Sequence, residues 1–515
     1  MTTLAMAVLA ASVLRLTEWT LLDATDKRDD LVVKMSRLIP SAQTKFGIRV
    51  TSLDVRDPET EEGRVYLRLA PMPSSRPQKG DDFEIDGTTM TVRPLTNGYP
   101  LVELPYRGGE SGRIAALQRY QRTVRPYRPG RDGVLLSNTW GDNHADTRIN
   151  AAFMAQEIAA GAELGVDVIQ VDDGWQRGRT HNTGKKPLPG FAKAWGNYWD
   201  TDPHFWDVDT ERFPDGLKPL VDAAAAKGIV FGLWFGPDST DDLKYWMRDA
   251  DFLLGLYRRF GIRYFKIDSL RITTPLGLER NRKFFDRMLE ASDGEMVFDL
   301  DCTAGVRPGY FGMMDIGPLF LENRYPRKHK IYRPHMTLRN LWSLAHVVDP
   351  VRLRIEFLNP ASHPELWGDD PLAPARWPAD ALFAIAMTAS PLAWMELSGI
   401  RPETMAVWKP LVRTWKRERA RMHGGTIFPV GDEPDGYAWT GFVSRAADGK
   451  GGYALVFREL NVRPNFRLDL SPWMGDNGCR TAEVIGGRGT ASLADGRFLD
   501  VDVPAKLDFL WVKVN

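Results

Sequence analysis

The sequence predicts an α/β protein: a (β/α)8 TIM barrel flanked by an N-terminal β-sandwich and a C-terminal antiparallel β-sandwich. Three observations carry this. A chain of 515 residues exceeds what a single hydrophobic core usually supports. Its texture changes twice, from short alternating runs to long apolar runs with helical segments between them, and back again. Between residues 134 and 397 there are eight such apolar runs, the number of strands a closed (β/α)8 barrel needs.

Taken in order, residues 1–124 offer "FGIRVTSLDVR", "RVYLRLAPM" and "FEIDGTTMTV", the last with an Asp-Gly hairpin signal at Asp86–Gly87. This is the predicted N-terminal β-sandwich. The Pro/Arg/Gly-rich stretch "RPYRPGRDG" (125–133) marks the change to the barrel, 125–424. Candidate strands there are "VLLSNTW" (134–140), "DVIQVDD" (167–173), "IVFGLWF" (229–235), "IRYFKID" (262–268), "MVFDLDC" (296–302), "PLFLEN" (318–323), "LRIEFLN" (353–359) and "PLAWMEL" (391–397). Most are continuously apolar, as parallel strands buried on both faces are, and segments such as "INAAFMAQEIAAGAELG" (149–165) read as the intervening helices. "LVRTWKRERARM" (411–422) reads as a helix closing the barrel, its charges on a solvated face. Residues 425–515 return to strands, "YAWTGFVSR", "GYALVFREL", "RFLDVDV" and "LDFLWVKV", the predicted C-terminal β-sandwich.

Charge and cysteine content narrow the function. Lys+Arg and Asp+Glu both number 67 and no basic stripe runs along any segment, so neither nucleic acid nor an anionic membrane is an expected partner. The two cysteines, Cys302 and Cys479, make no disulfide framework and fit a reducing, cytoplasmic setting. "LAMAVLAASVL" (4–14) has the length of a signal-peptide core, but no Lys or Arg precedes it, and it reads as a buried first strand or helix. No apolar run reaches the roughly 18–20 residues of a membrane-spanning helix, so a soluble protein is expected.

Barrel enzymes gather their chemistry at the C-terminal ends of the strands. There this chain places Trp140, Asp172, Asp173, Trp234, Lys266, Asp268, Cys302, Glu322, Asn359 and Glu396. No nucleotide loop, metal-spaced histidine set or Ser/His/acid pattern accompanies these carboxylates, and His329 and His335 lack zinc-type spacing, so no metal and no organic cofactor is expected. Carboxylates at one mouth then point to cleavage of a glycosidic bond, one acid ionised to attack the anomeric carbon and its neighbour protonated to release the leaving oxygen.

"VIQVDDGWQ" (168–176), "RFPDGLKPLV" (212–221), "GIVFGLWF" (228–235) and "YFKIDSL" (264–270), in this order, resemble the signature blocks of glycoside hydrolase family 36, the retaining α-galactosidases. The resemblance spans roughly residues 130–400 and implies exo-acting release of terminal α-galactosyl residues from galactosides. It makes Asp268 the nucleophile, and Glu322 in "LFLENRY" the acid/base where the family usually has aspartate. It gives Lys266 to the sugar hydroxyls, Asp172 and Asp173 to the 4- and 6-hydroxyls, and Trp234 to an aromatic wall; Cys302 and Arg307 fall on the loop after the fifth strand. Departures are Glu322 itself, Ile267 in place of a tryptophan, a shorter glycine run in "TAGVRPG", and Arg324 beside the acid.

Other readings of the same residues stay open. Asp172 and Asp173 also suit helix caps, and Lys266 with Asp268 suits a structural ion pair on one strand face. Asp315 and Glu396 compete with Glu322 as the acid. Arg307 also suits a surface loop, Cys302 a core position, and Trp175 packing rather than sugar contact. "DDGWQ" with Lys266-x-Asp268 also resembles the raffinose and stachyose synthase branch, which transfers galactose. Action on an α-N-acetylgalactosaminide or a β-L-arabinopyranoside, and a non-catalytic carbohydrate-binding barrel, complete the alternatives. The sequence does not address oligomeric state.

Overall fold

The structure, a computed structural model, describes residues 12–15, 18–23, 51–56, 60–69, 83–86, 89–92, 100–142, 144–184, 186, 194, 196–272, 274–301, 312–321, 332–474 and 479–515. The first strands are β1 (Ser12–Arg15), β2 (Glu18–Asp23), β3 (Thr51–Arg56), β4 (Gly63–Arg68), β5 (Phe83–Asp86), β6 (Thr89–Val92) and β7 (Leu101–Tyr106). They form a three-stranded sheet, β1-β6-β5, and a four-stranded antiparallel sheet, β2-β3-β4-β7. β5 and β6 pair as the Asp-Gly signal predicts, closing on Asp86 opposite Thr89. The segment after β7 is a helix, Gly109–Val124, in a stretch that the sequence reading gave no helix. Its buried Gln118 exchanges hydrogen bonds with the backbone of Ile427, and its Arg122 pairs with Asp349 at 2.7 Å, so it joins the barrel to the C-terminal sheets.

The barrel strands are β8 (Leu136–Asn138), β9 (Val168–Val171), β10 (Val230–Phe235), β11 (Tyr264–Ile267), β12 (Val297–Asp301), β13 (Leu319–Leu321), β14 (Leu353–Phe357) and β15 (Ser390–Trp394). Each pairs in parallel with the next, and β15 closes on β8 with Leu392 opposite Leu136 and Trp394 opposite Asn138. All eight lie within the apolar runs expected to form them, with Ser390 one residue earlier. Their residues are buried except half-buried Val230, because helices cover the outside while side chains fill the interior. Ala151–Leu164 shows why such a helix starts and stops: Asn150 accepts from Phe153 N at 2.9 Å, and Gly165 ends it at φ 91°.

Near the N-terminal end of the barrel interior, Arg354 of β14 donates to Asp299 of β12 at 2.8 Å and to Val134 O at 2.8 Å, with both partners of the ion pair buried. The charged helix spans Pro402–Gly424, and its charges do not simply face water. Lys416 and Arg419 both pair with Asp167, Glu418 with Lys513 at 2.9 Å, and Arg421 with Asp448 at 2.8 Å. These charges tie the helix to the barrel on one side and to the last sheets on the other.

Those sheets comprise β16 (Thr426–Gly431), β17 (Trp439–Arg445), β18 (Gly452–Arg458), β19 (Asn465–Asp469), β20 (Ala482–Gly487), β21 (Thr490–Ala494), β22 (Phe498–Asp502) and β23 (Asp508–Val514). They order as β16-β17-β18-β23-β20 and β19-β22-β21. Alternation along β18 sends Ala454 and Val456 to the core between the sheets, and Leu455 and Phe457 to the core shared with the barrel. The middle of this sheet is thus buried on both faces.

Candidate active site

Asp172 and Asp173 follow directly from β9, at the C-terminal mouth. Asp172 is held from three sides: its Oδ2 accepts from Asn138 Nδ2 at 2.8 Å and from Lys266 Nζ at 3.0 Å, and its Oδ1 from Asp173 N at 2.8 Å. Asn138, the last residue of β8, is itself set by donating to Gln170 Oε1 and accepting from Trp140 N. Asp173 is only 1% exposed; Gln176 Nε2 donates to its Oδ1 at 2.7 Å, and Thr180 Oγ1 bonds its Oδ2. Burial, reinforced by Asp172 and Asp146, pushes its carboxyl up to about 7 against the pull of those donors.

The loop carrying this pair is braced from outside. Arg212, of the "RFPDG" block, donates to Gly174 O at 2.7 Å and to Asp146 Oδ2 at 2.8 Å. Asp146 in turn accepts from Gly184 N and Thr183 Oγ1. Trp175 is fully buried and donates to Trp234 O, which makes it a packing residue.

Lys266 projects from β11 between two carboxylates, 3.0 Å from Asp172 and 3.5 Å from Asp301 at the end of β12. Its ammonium also lies 4.4 Å from the ring centre of Phe320 and 5.7 Å from that of Trp394. These ion pairs run from β11 to an acid at the end of the adjacent β12 and, past β10, to one at the end of β9.

Asp268 is the first residue beyond β11 and is half-buried. Trp234 Nε1 donates to its Oδ2 at 3.2 Å, Ser269 N to its Oδ1 at 2.5 Å, and its own N–H donates to Phe235 O. N–H donors on both oxygens suit a carboxylate that reacts in its ionised form. Trp234 is buried, packed against Trp206 at 5.7 Å between ring centres.

Of the competing acids, Glu396 does lie at the mouth, just after β15, where His144 Nδ1 and Arg148 hold its two oxygens. Asp315 precedes β13, at the opposite end of the barrel, and is paired with Arg282 of the helix Pro275–Ala291. That position removes it from the mouth. Cys302, Arg307, Glu322, Arg324 and His329 lie outside the described residues. His335 is buried at the start of the helix Pro334–Leu344, and burial lowers its imidazole to about 4. Among the described residues, no group of three or more His, Cys, Asp or Glu is arranged to hold a metal ion.

Sequence reasoning overlooked Asn138, Asp301 and Ser269. Asn138 and Asp301 each end a barrel strand, a positional signal as strong as the one that marked Asp268. Ser269 offered no signal of its own, because its part lies in a backbone N–H.

Residues 115–263 match the Melibiase family model. An α-galactosidase of Escherichia coli is 29% identical over 104 residues, which are 20% of this chain and 12% of that protein, so the match spans a small part of the relative's length. Among solved structures, the GH36 α-galactosidase AgaA of Geobacillus stearothermophilus superposes with a TM-score of 0.63 at 16% identity, covering 97% of this chain and 72% of that one. A variant of the same enzyme in complex with stachyose gives 0.64 at 16% identity over the same shares. Residues 115–263 are therefore similar to Melibiase, and the chain has the fold of GH36 α-galactosidases along nearly its whole length.

Proposed function

We propose that this protein is a retaining, exo-acting glycoside hydrolase that releases terminal α-galactosyl residues. The observation that carries the reading is the placement of Asp268: a carboxylate at the end of β11, both oxygens held by N–H donors, beside the Asp172–Lys266–Asp301 cluster. In this reading Asp268 attacks the anomeric carbon while Glu322 protonates the departing oxygen. Water, deprotonated by Glu322, then displaces Asp268 and the sugar leaves with its configuration retained. Lys266, Asp172 and Asp173 bind sugar hydroxyls, and the two aspartates favour galactose because a buried carboxylate deprived of its hydroxyl is penalised. Trp234, Cys302 and Arg307 complete the sugar site, and catalysis belongs to the barrel, residues 125–424.

The similarity of residues 115–263 to Melibiase, and of the fold to α-galactosidases, supports the sugar and the reaction class. The test is incubation with aryl α-D-galactopyranoside, α-N-acetylgalactosaminide and β-L-arabinopyranoside, following phenol release and product anomer by NMR for wild type, Asp268→Ala and Glu322→Ala. The α-anomer of galactose from wild type, with no turnover in a folded Asp268→Ala, is the expected result. Near-normal activity in that variant ends the assignment.

A further inference from the structure

We infer that Ser269 is a positioning residue for Asp268, held in a left-handed backbone conformation so that its N–H clamps one carboxylate oxygen and leaves the other to Trp234. This rests on the reading of Asp268 as the nucleophile and adds the device that aims it.

Ser269 has φ 55°, a left-handed region that few residues other than glycine occupy and that is strained in an ordinary residue. A strained conformation persists only where its surroundings impose it, and here several groups do. Ser239, in the loop after β10, brackets the turn: its Oγ donates to Ser269 O at 3.3 Å and accepts from Arg271 N at 3.0 Å. The loop bearing Ser239 is itself pinned, since Asp238 N donates to buried Asp249 and Asp238 Oδ1 accepts from Asn197 N and Thr240 N. On the other side Tyr198, fully buried, places its hydroxyl 3.4 Å from Ser269 Oγ, and burial keeps that phenol protonated by raising its pKa.

Space is closed around this arrangement. A Cβ on Gly236 would stand 2.6 Å from Ser269 Oγ and 3.3 Å from the Tyr198 hydroxyl, so only glycine leaves the serine its place. The consequence appears at Asp268, whose Oδ1 receives the Ser269 N–H at 2.5 Å while Oδ2 receives the Trp234 indole at 3.2 Å. Two donors from two different elements fix the plane of the carboxylate. An attacking oxygen must lie in line with the anomeric carbon, and a misplacement of about 1 Å can cost about 100-fold in rate. None of this involves contact between Ser269 and the sugar, so the effect should fall on the chemical step rather than on binding.

The test uses the full chain and an activated galactosyl fluoride bearing a second ring fluorine, which reports the first displacement alone: the Asp268–C1 bond forms, the C1–F bond breaks and fluoride leaves. Ser269→Gly keeps the left-handed backbone and its N–H. Ser269→Val keeps the N–H but its branched side chain opposes φ 55°. Ser239→Ala removes the bracket and leaves Ser269 itself intact.

Fluoride release within a few-fold of wild type is expected for Ser269→Gly, about 10-fold slower for Ser239→Ala and about 100-fold slower for Ser269→Val, with KM for an aryl galactoside little changed. Peptide mapping of the trapped wild-type adduct separates the two levels. A label on a residue other than Asp268 overturns the nucleophile and this inference together. A label on Asp268 that forms at wild-type rate in both Ser269→Val and Ser239→Ala, or a Ser269→Gly as slow as Ser269→Val, overturns the positioning role alone.

Discussion

Lys266 and Asp172 form a buried ion pair, 3.0 Å apart, that spans the barrel strand between them: Lys266 stands on β11, Asp172 follows β9, and β10 intervenes. With Asp301 on the far side, one ammonium serves acids from both directions around the ring. Removing the cation leaves Asp172 without its counter-charge in a buried site, and loss of one partner of such a pair costs about 3–5 kcal/mol. Lys266→Met should lower stability to that extent in urea unfolding and reduce kcat/KM on an aryl α-galactoside. Unchanged unfolding would mean that Asp172 is compensated by Asn138 and the Asp173 N–H alone.

The buried Asp173 sets a pH dependence whose sign follows from its raised carboxyl, about 7. Between about 4, where the unfolded chain gives up this proton, and about 7, where the folded protein does, the unfolded state binds fewer protons. This group's contribution to stability therefore declines as pH rises through that window, by up to ~1.4 kcal/mol per pH unit, and levels off above it. Asp173→Asn mimics the neutral acid, with an oxygen for Gln176 and an amide for Thr180. Its urea midpoint should lose that slope, so the variant should gain on wild type between pH 5 and pH 7.5. Parallel profiles would show that Asp173 titrates elsewhere.

Arg354 and Asp299 offer a structural counterpart remote from the mouth. Arg354 is 1% exposed and Asp299 fully buried, and burial raises the Asp299 carboxyl even against the pull of Arg354. Arg354→Met should destabilise by about 3–5 kcal/mol by stranding Asp299, whereas Arg354→Met with Asp299→Leu should recover most of that loss. Guanidinium unfolding of the single and double variants measures the difference. A double variant no better than the single would show that the Val134 carbonyl depends on the charged pair.

Much of the barrel was legible because each strand announces itself locally. "IRYFKID" and "VFDLD" are apolar runs ending in a carboxylate, and a parallel strand buried on both faces has no other composition open to it. The helix Gly109–Val124 escaped because its charged and amide side chains dilute the apolar stripe; Gln118 and Gln121 are buried through bonds to distant backbone that no window of sequence displays. The charge run 411–422 misled for the same reason, since the partners of Lys416, Glu418 and Arg421 lie far away in the chain.

By itself the sequence determined the strand order, the barrel, and the fact that Lys266 and Asp268 stand on one face at a strand's C-terminal end, because alternation and apolar run length are properties of adjacent residues. Only the tertiary structure decided that Lys266 turns to Asp172 and Asp301, that Asp268 is held by Trp234 and Ser269, and that Asp315 lies at the wrong end of the barrel. Closing eight strands into a ring brings residues dozens of positions apart within hydrogen-bond distance. The partner of a charge in that ring is chosen by the geometry of closure, which no local pattern encodes.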